Sequence, residues 1–272
     1  MTVNFESAEL RYKQILEDFF VTVYNEGSLP SHGIEHHRRV WKYARELALL
    51  LDKHQFLTDH KIIYKLIIAC YLHDIGMSVD AGIKHGIHSR NLCIRFLTEN
   101  SIPVTDYQDL LEAVENHDNK EYVTSENISD LLTILSVADD LDAFGFIGIY
   151  RYSEIYLARG INLKEIGILI KENASKRFNN FEKIFGFDKE IVQKHKKRYD
   201  ILYNFFSEYN NQAETYKFEG TQPSGYCGVI ELLKDAKHQN GVLNNSETLL
   251  KKYSDDPAIH WYFSELELES KN

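Results

Sequence analysis

Proline is scarce in this chain, four among 272 residues, so long stretches lack the residue that removes a backbone donor and clashes with the preceding helical turn. Three such stretches, Phe5 to Tyr24, Glu35 to Leu51 and Asp59 to Leu72, place apolar side chains at i, i+3, i+4 and i+7, which gathers them on one face of an α-helix. The spacing returns near Asp106 to His117, Ile128 to Asp142, Ile161 to Phe178 and Lys189 to Tyr209. No strand-like alternation is sustained, and Asn240-Gly241 lies in a polar stretch rather than between two alternating runs, so it does not mark a hairpin. An all-α bundle is predicted. Pro30-Ser31 stands where an N-cap would precede the second helix, Thr58-Asp59 opens the third, and Gly76 ends it like a C-cap glycine. One compact domain is expected over residues 1–212. After it, Gln222-Pro223-Ser224-Gly225 and the polar run Asn240 to Asn245 lead into Tyr253 to Leu268, so residues 213–272 read as a C-terminal extension, an annex or a partner-binding segment.

A net charge of −10 disfavours a non-specific hold on nucleic acid, because that affinity comes from Lys and Arg releasing counterions. The short cluster Lys194, Lys196, Lys197 and Arg198 reads as a solvated helix face. Three scattered cysteines, Cys70, Cys93 and Cys227, make neither a disulfide framework nor a C-x-x-C knuckle, which suits a reducing cytoplasm. The most apolar stretch, Ile62 to Leu72, is interrupted by Lys65 and too short to span a bilayer, so no membrane partner is expected. Gly145 and Gly148 precede no Lys-Ser or Lys-Thr pair and form no P-loop; close helix packing or a turn accounts for them.

The residues that carry chemistry sit within the helical patterns. Leu66, Ile67, Cys70 and Tyr71 surround the positions of His73 and Asp74, so both side chains emerge where the helix is buried on nearly every face. A carboxylate there, at the negative end of a helix dipole, needs something positive beside it. A buried Arg or a metal ion would serve, and a buried His-Asp pair can also be purely structural. His36 heads the stripe Val40, Tyr43, Leu47, and Asp139 follows Leu132 and Leu135, whereas Asp140 aligns with Ser129, Thr133 and Ser136 on the polar side. His117 continues Leu110, Ala113 and Val114, and His88 shares a stripe with Leu92 and Phe96; each is either a satisfied core histidine or a contact to a second metal or a phosphate oxygen.

The order His36, then His73-Asp74, then Asp139 resembles the HD-domain metal-dependent phosphohydrolases. The flanks do too: His32-Gly-Ile-Glu-His36-His-Arg-Arg39-Val40, Leu72-His73-Asp74-Ile75-Gly76 and Ala138-Asp139-Asp140-Leu141-Asp142-Ala143. The run Phe144-Gly-Phe-Ile-Gly-Ile-Tyr-Arg151 is similar to a subgroup of small bacterial members. What the resemblance implies is an HD-domain helical bundle in which His36, His73, Asp74 and Asp139 hold a divalent metal, with His73 and Asp74 at the catalytic centre. Nitrogen and carboxylate donors without thiolate suit Mn, Mg, Fe, Co, Ni or Zn, and the family favours Mn or Mg.

The activity implied is hydrolysis of a phosphate ester or phosphoanhydride in a nucleotide or related small metabolite by a metal-activated water. Arg39, Lys84, Asp142 and Arg151 are the candidates for substrate contact, Asp142 also for orienting a ligand histidine. The chain lacks Gly-Tyr-Pro and carries Ile75-Gly76-Met77 after the His-Asp pair, which disfavours cyclic dinucleotides and simple deoxynucleoside monophosphates as substrates. Two other functions fit the same residues. One is a diiron oxygenase using His36, His73, Asp74, His88, His117 and Asp139; the other is a metal-stabilised regulatory module that binds a partner through its tail. Homo-oligomerisation is compatible with all three.

Overall fold

The computed structural model describes residues 3–24, 29–80, 82, 84–119, 128–218, 222–236 and 246–271. Every regular element among them is a helix, as the period of the apolar pattern requires. The chain divides into two compact units, Met1–Asp142 and Ala143–Asn272.

The first unit contains α1 (Phe5–Val23), α2 (Ile34–Lys53), α3 (Ile62–Leu72), α4 (His85–Glu99), α5 (Gln108–Asn116) and α6 (Leu131–Asp142). At its centre lies α3, where Ile63 and every residue from Leu66 to Leu72 are buried. A helix apolar on all faces must be wrapped on all faces, and α1, α2, α5 and α6 pack around it. Sealing each Ile or Leu contributes about 1.5–3 kcal/mol, so α3 is a firm anchor. Because the chain leaves α3 inside the core, His73 and Asp74 begin in the interior.

Three local expectations change. The third helix begins at Ile62 rather than Asp59 and ends at Leu72, so Gly76 is no C-cap. Gly76 sits in the 3-10 turn Ile75–Ser78, where a Cβ would collide with the His85 carbonyl and the Ser89 backbone nitrogen; the glycine permits close approach of α4. Ser31 is not the cap of α2, because Pro30–His32 forms its own 3-10 turn and Gly33 occupies the N-cap without a side-chain bond.

The second unit contains α7 (Gly145–Ala158), α8 (Leu163–Phe185), α9 (Lys189–Ala213), α10 (Gly225–Ala236), α11 (Ser246–Lys252) and α12 (Pro257–Ser270). Helices α8 and α9 form an antiparallel hairpin. Phe178 stacks on Tyr199, Phe181 meets His195, and the Tyr209 hydroxyl donates to the Leu163 carbonyl. Asp188 caps α9 through the amides of Glu190 and Ile191. Helix α7 gave no helical signature in sequence because Gly145 through Glu154 are all buried, which leaves no polar face to reveal a period. The boundary expected at Gln212 falls in the last turn of α9, and α10 packs on α9, α7 and α12, so residues from 222 onward share a unit with helices that precede them. The expected turn at Asn240-Gly241 lies outside the described residues.

Candidate metal centre

Three elements of the first unit deliver four side chains to one point. His36 comes from the first turn of α2, His73 and Asp74 from the chain leaving α3, and Asp139 from the third turn of α6. The Nε2 of His36 lies 3.1 Å from Nε2 of His73, 3.4 Å from Oδ2 of Asp74 and 3.7 Å from Oδ1 of Asp139. From His73 Nε2 the distances to those two carboxylate oxygens are 3.5 and 3.9 Å. All four side chains are buried, and one ligand atom from each lies within 4.8 Å of the others.

The protons on these rings follow from their partners. His36 Nδ1 is 2.8 Å from Asp142 Oδ2, and His73 Nδ1 is 3.0 Å from the Cys70 carbonyl. Both partners only accept, so each Nδ1 carries the hydrogen and each neutral ring presents a bare Nε2 lone pair. Two such lone pairs 3.1 Å apart, beside two carboxylates, repel one another unless a proton or a cation lies among them. Two imidazole nitrogens and two carboxylates are the donor set of a divalent ion, and the residues fit one.

A second group shares Asp74. The Nε2 atoms of His117 and His85 lie 3.0 and 3.5 Å from Asp74 Oδ1, and Asp74, His85 and His117 form a further buried set of potential ligands. Their Nδ1 atoms are likewise turned away, His117 to the Val114 carbonyl at 2.8 Å and His85 to the Gly82 carbonyl at 2.8 Å. Asp74 thus divides its oxygens, Oδ2 toward His36 and His73, Oδ1 toward His85 and His117. Tight backbone packing brings this second pair in. A Cβ on Gly86 would strike the Glu115 carbonyl, the Gly76 amide donates to Ser89 Oγ at 2.8 Å, and Ser136 Oγ donates to the His117 carbonyl at 3.0 Å.

Charge follows the same division. Burial acts to raise the Asp74 carboxyl, but the surrounding imidazoles, His73 first and then His117 and His36, outweigh it and hold the group well below the usual carboxylate range. Burial pushes His73 down, against the pull of Asp74 and Asp139. At His117 burial also acts downward, yet the hydrogen bond and charge of Asp74 win and raise it.

The remaining residues singled out in sequence fall in varied places. Arg39 and Asp142 are joined to each other, Nε to Oδ1 at 2.7 Å and Nη2 to Oδ2 at 3.0 Å, and Asp142 is fully buried. Lys84 is exposed at the N-cap of α4, one residue before His85, while Arg151 is buried in the second unit. His88 does not join either group. The buried stripe of α4 runs His85, Ser89, Cys93 and Phe96, leaving His88 half-buried at its flank with Leu92, so the stripe read in sequence was rotated by one position of the helix. The signal for His85 was present, since it leads Ser89, Cys93 and Phe96 at i+4, i+8 and i+11. Asp140 also departs from expectation: it is buried along with Thr133 and Ser136, because the polar side of α6 faces protein rather than solvent.

Comparison with known proteins agrees with this geometry. The family model described as HD domain matches residues 33–143, which run from the N-cap of α2 to just past α6 and include every residue of both groups. No curated protein and no solved structure is significantly similar to the chain. No described helix is long and apolar enough to cross a membrane.

Proposed function

We propose that this chain, whose residues 33–143 match the family model described as HD domain, is a metal-dependent phosphohydrolase acting on a phosphate ester or phosphoanhydride of a nucleotide or similar small metabolite. The observation that carries this reading is the set of four buried imidazoles whose Nδ1 atoms are all tied elsewhere, so that every Nε2 turns toward Asp74 or Asp139. A divalent ion bound there would act as Lewis acid on a phosphoryl oxygen and lower the pKa of a bound water.

The chain's own contribution is preorganisation. Asp74 and Asp139 supply the negative charge that holds the cation, and the tied Nδ1 atoms hold the ring planes, so no side chain has to reorient when substrate arrives. The substrate must bring its own negative charge to a centre lined by carboxylates, which requires that the cation outweigh them. Mn or Mg is the expected occupant on the family resemblance; the donor set suits Fe, Co, Ni and Zn equally.

The divided oxygens of Asp74 would let it serve two ions, one held with His36, His73 and Asp139, the other with His85 and His117. They also keep alive a second reading, a diiron oxygenase built on His36, His73, Asp74, His85, His117 and Asp139. One experiment separates the two: metal analysis combined with a phosphate-release screen over nucleoside mono-, di- and triphosphates and phosphodiesters. The phosphohydrolase reading expects Mn- or Mg-stimulated release, abolished in Asp74→Ala. Two irons per chain with oxygen-dependent turnover and no phosphate release would replace it.

A further inference from the structure

We propose that Arg39 is a positioning residue of the metal centre, which fixes the His36 imidazole through Asp142 and so sets how tightly a divalent ion is held, instead of gripping substrate phosphate. The proposal rests on the metal reading of this centre. Arg39 lies one turn after His36 on α2. Its guanidinium meets Asp142 as a fork, Nε on Oδ1 at 2.7 Å and Nη2 on Oδ2 at 3.0 Å. Asp142 Oδ2 also accepts from His36 Nδ1 at 2.8 Å. Asp142 is the last residue of α6, three beyond Asp139, so one helix end supplies a ligand and the group that orients another ligand.

The physical roles differ along this chain. A carboxylate on Nδ1 stops the ring from turning and enriches Nε2 as a donor to metal. Asp142 is fully buried, and a carboxylate charge in the interior is costly. Arg39, whose side chain is 21% exposed, reaches in from the rim and neutralises it. The two-point fork fixes the plane of the carboxylate as well as its charge, which a lysine ammonium cannot do. A phosphate grip would need that fork to face substrate, and here Nε and Nη2 both face Asp142.

Activity alone cannot separate the two roles, because both predict that Arg39→Gln is slow. Affinity for metal without substrate can. Metal-stripped full-length protein is titrated with Mn²⁺ alone by calorimetry, and its Co²⁺ adduct is followed by visible absorption. Arg39→Gln and Asp142→Asn are each expected to weaken Mn²⁺ binding by about 10- to 100-fold and to shift the Co²⁺ bands, with Arg39→Lys in between. The double variant Arg39→Gln/Asp142→Asn is expected to be no weaker than the worse single one, since Arg39 acts only through Asp142. Arg39→Lys keeps a cation beside Asp142, so its titration separates the two roles even where Arg39→Gln alone fails to fold, and Mn²⁺ affinity equal to wild type in Arg39→Lys counts against the proposal. Mn²⁺ affinity and Co²⁺ bands equal to wild type in Arg39→Gln, or in the double variant, overturn the proposal while leaving the metal centre intact. A wild-type protein that binds no Mn²⁺ overturns both.

Discussion

Inside the first unit the side chains sealed from solvent include His36, His73, Asp74, His85, His117, Asp139 and Asp142, whereas the second unit seals Phe181, Phe185, Phe205, Phe206, Tyr262 and Phe263. Both interiors are close to fully buried, and they stabilise in opposite ways. Aromatic rings gain from leaving water and from edge-to-face contact, such as Phe205 on Phe206 with centroids 5.1 Å apart. Carboxylates and imidazole lone pairs lose by leaving water and recover only when something positive joins them. The difference teaches where each unit's stability would reside: in the second, in the chain itself; in the first, partly in the ion proposed for the histidines and carboxylates.

That contrast can be broken most forcefully at Asp74. Asp74→Asn removes a charge both groups share, and the proposed hydrolysis is expected to fall by more than the roughly 100-fold that loss of an outer partner costs. Phe206→Ala should do the reverse, losing about 3–5 kcal/mol in urea unfolding with metal stoichiometry unchanged. Next in size is the ion itself: Mn²⁺ at about a hundred times its dissociation constant should add about 2.7 kcal/mol to the first unit, read as a shift in its melting that chelator reverses.

The smallest effect is electrostatic and lies at the surface. Glu17 accepts from Arg38 at 2.9 and 2.8 Å and from the Tyr71 hydroxyl at 3.1 Å. The Arg38 hydrogen bond lowers its carboxyl below the ordinary 4.5, outweighing the upward push of burial. A depressed folded-state pKa gives stability that is present above the unfolded value and lost as the pH falls. Glu17→Gln should therefore cost about 0.2–1 kcal/mol at neutral pH and nothing once the pH is well below 4.5.

Much of this was legible in the residues. His36 and Asp139 could be placed inward because each sits on an apolar stripe, His73 and Asp74 because a wholly apolar helix leads into them, and the order of the four carried the family resemblance. His85 was missed for a physical reason: with two histidines three residues apart, a small rotation decides which faces the core, and packing of α4 against Gly76 and Glu115 sets that rotation. Helix α7 was hidden by being buried on every side, its polar Arg151, Ser153 and Glu154 included. The pairing of Arg39 with Asp142 spans about a hundred residues of sequence, and no local pattern announces it.

Crystals of the protein soaked in Mn²⁺ and measured at the manganese absorption edge would test the central claim most directly. The account predicts an anomalous peak bounded by Nε2 of His36, Nε2 of His73 and the carboxylates of Asp74 and Asp139, with a second peak beside His85 and His117. Peaks elsewhere on the molecule, or none at these imidazoles, would contradict it.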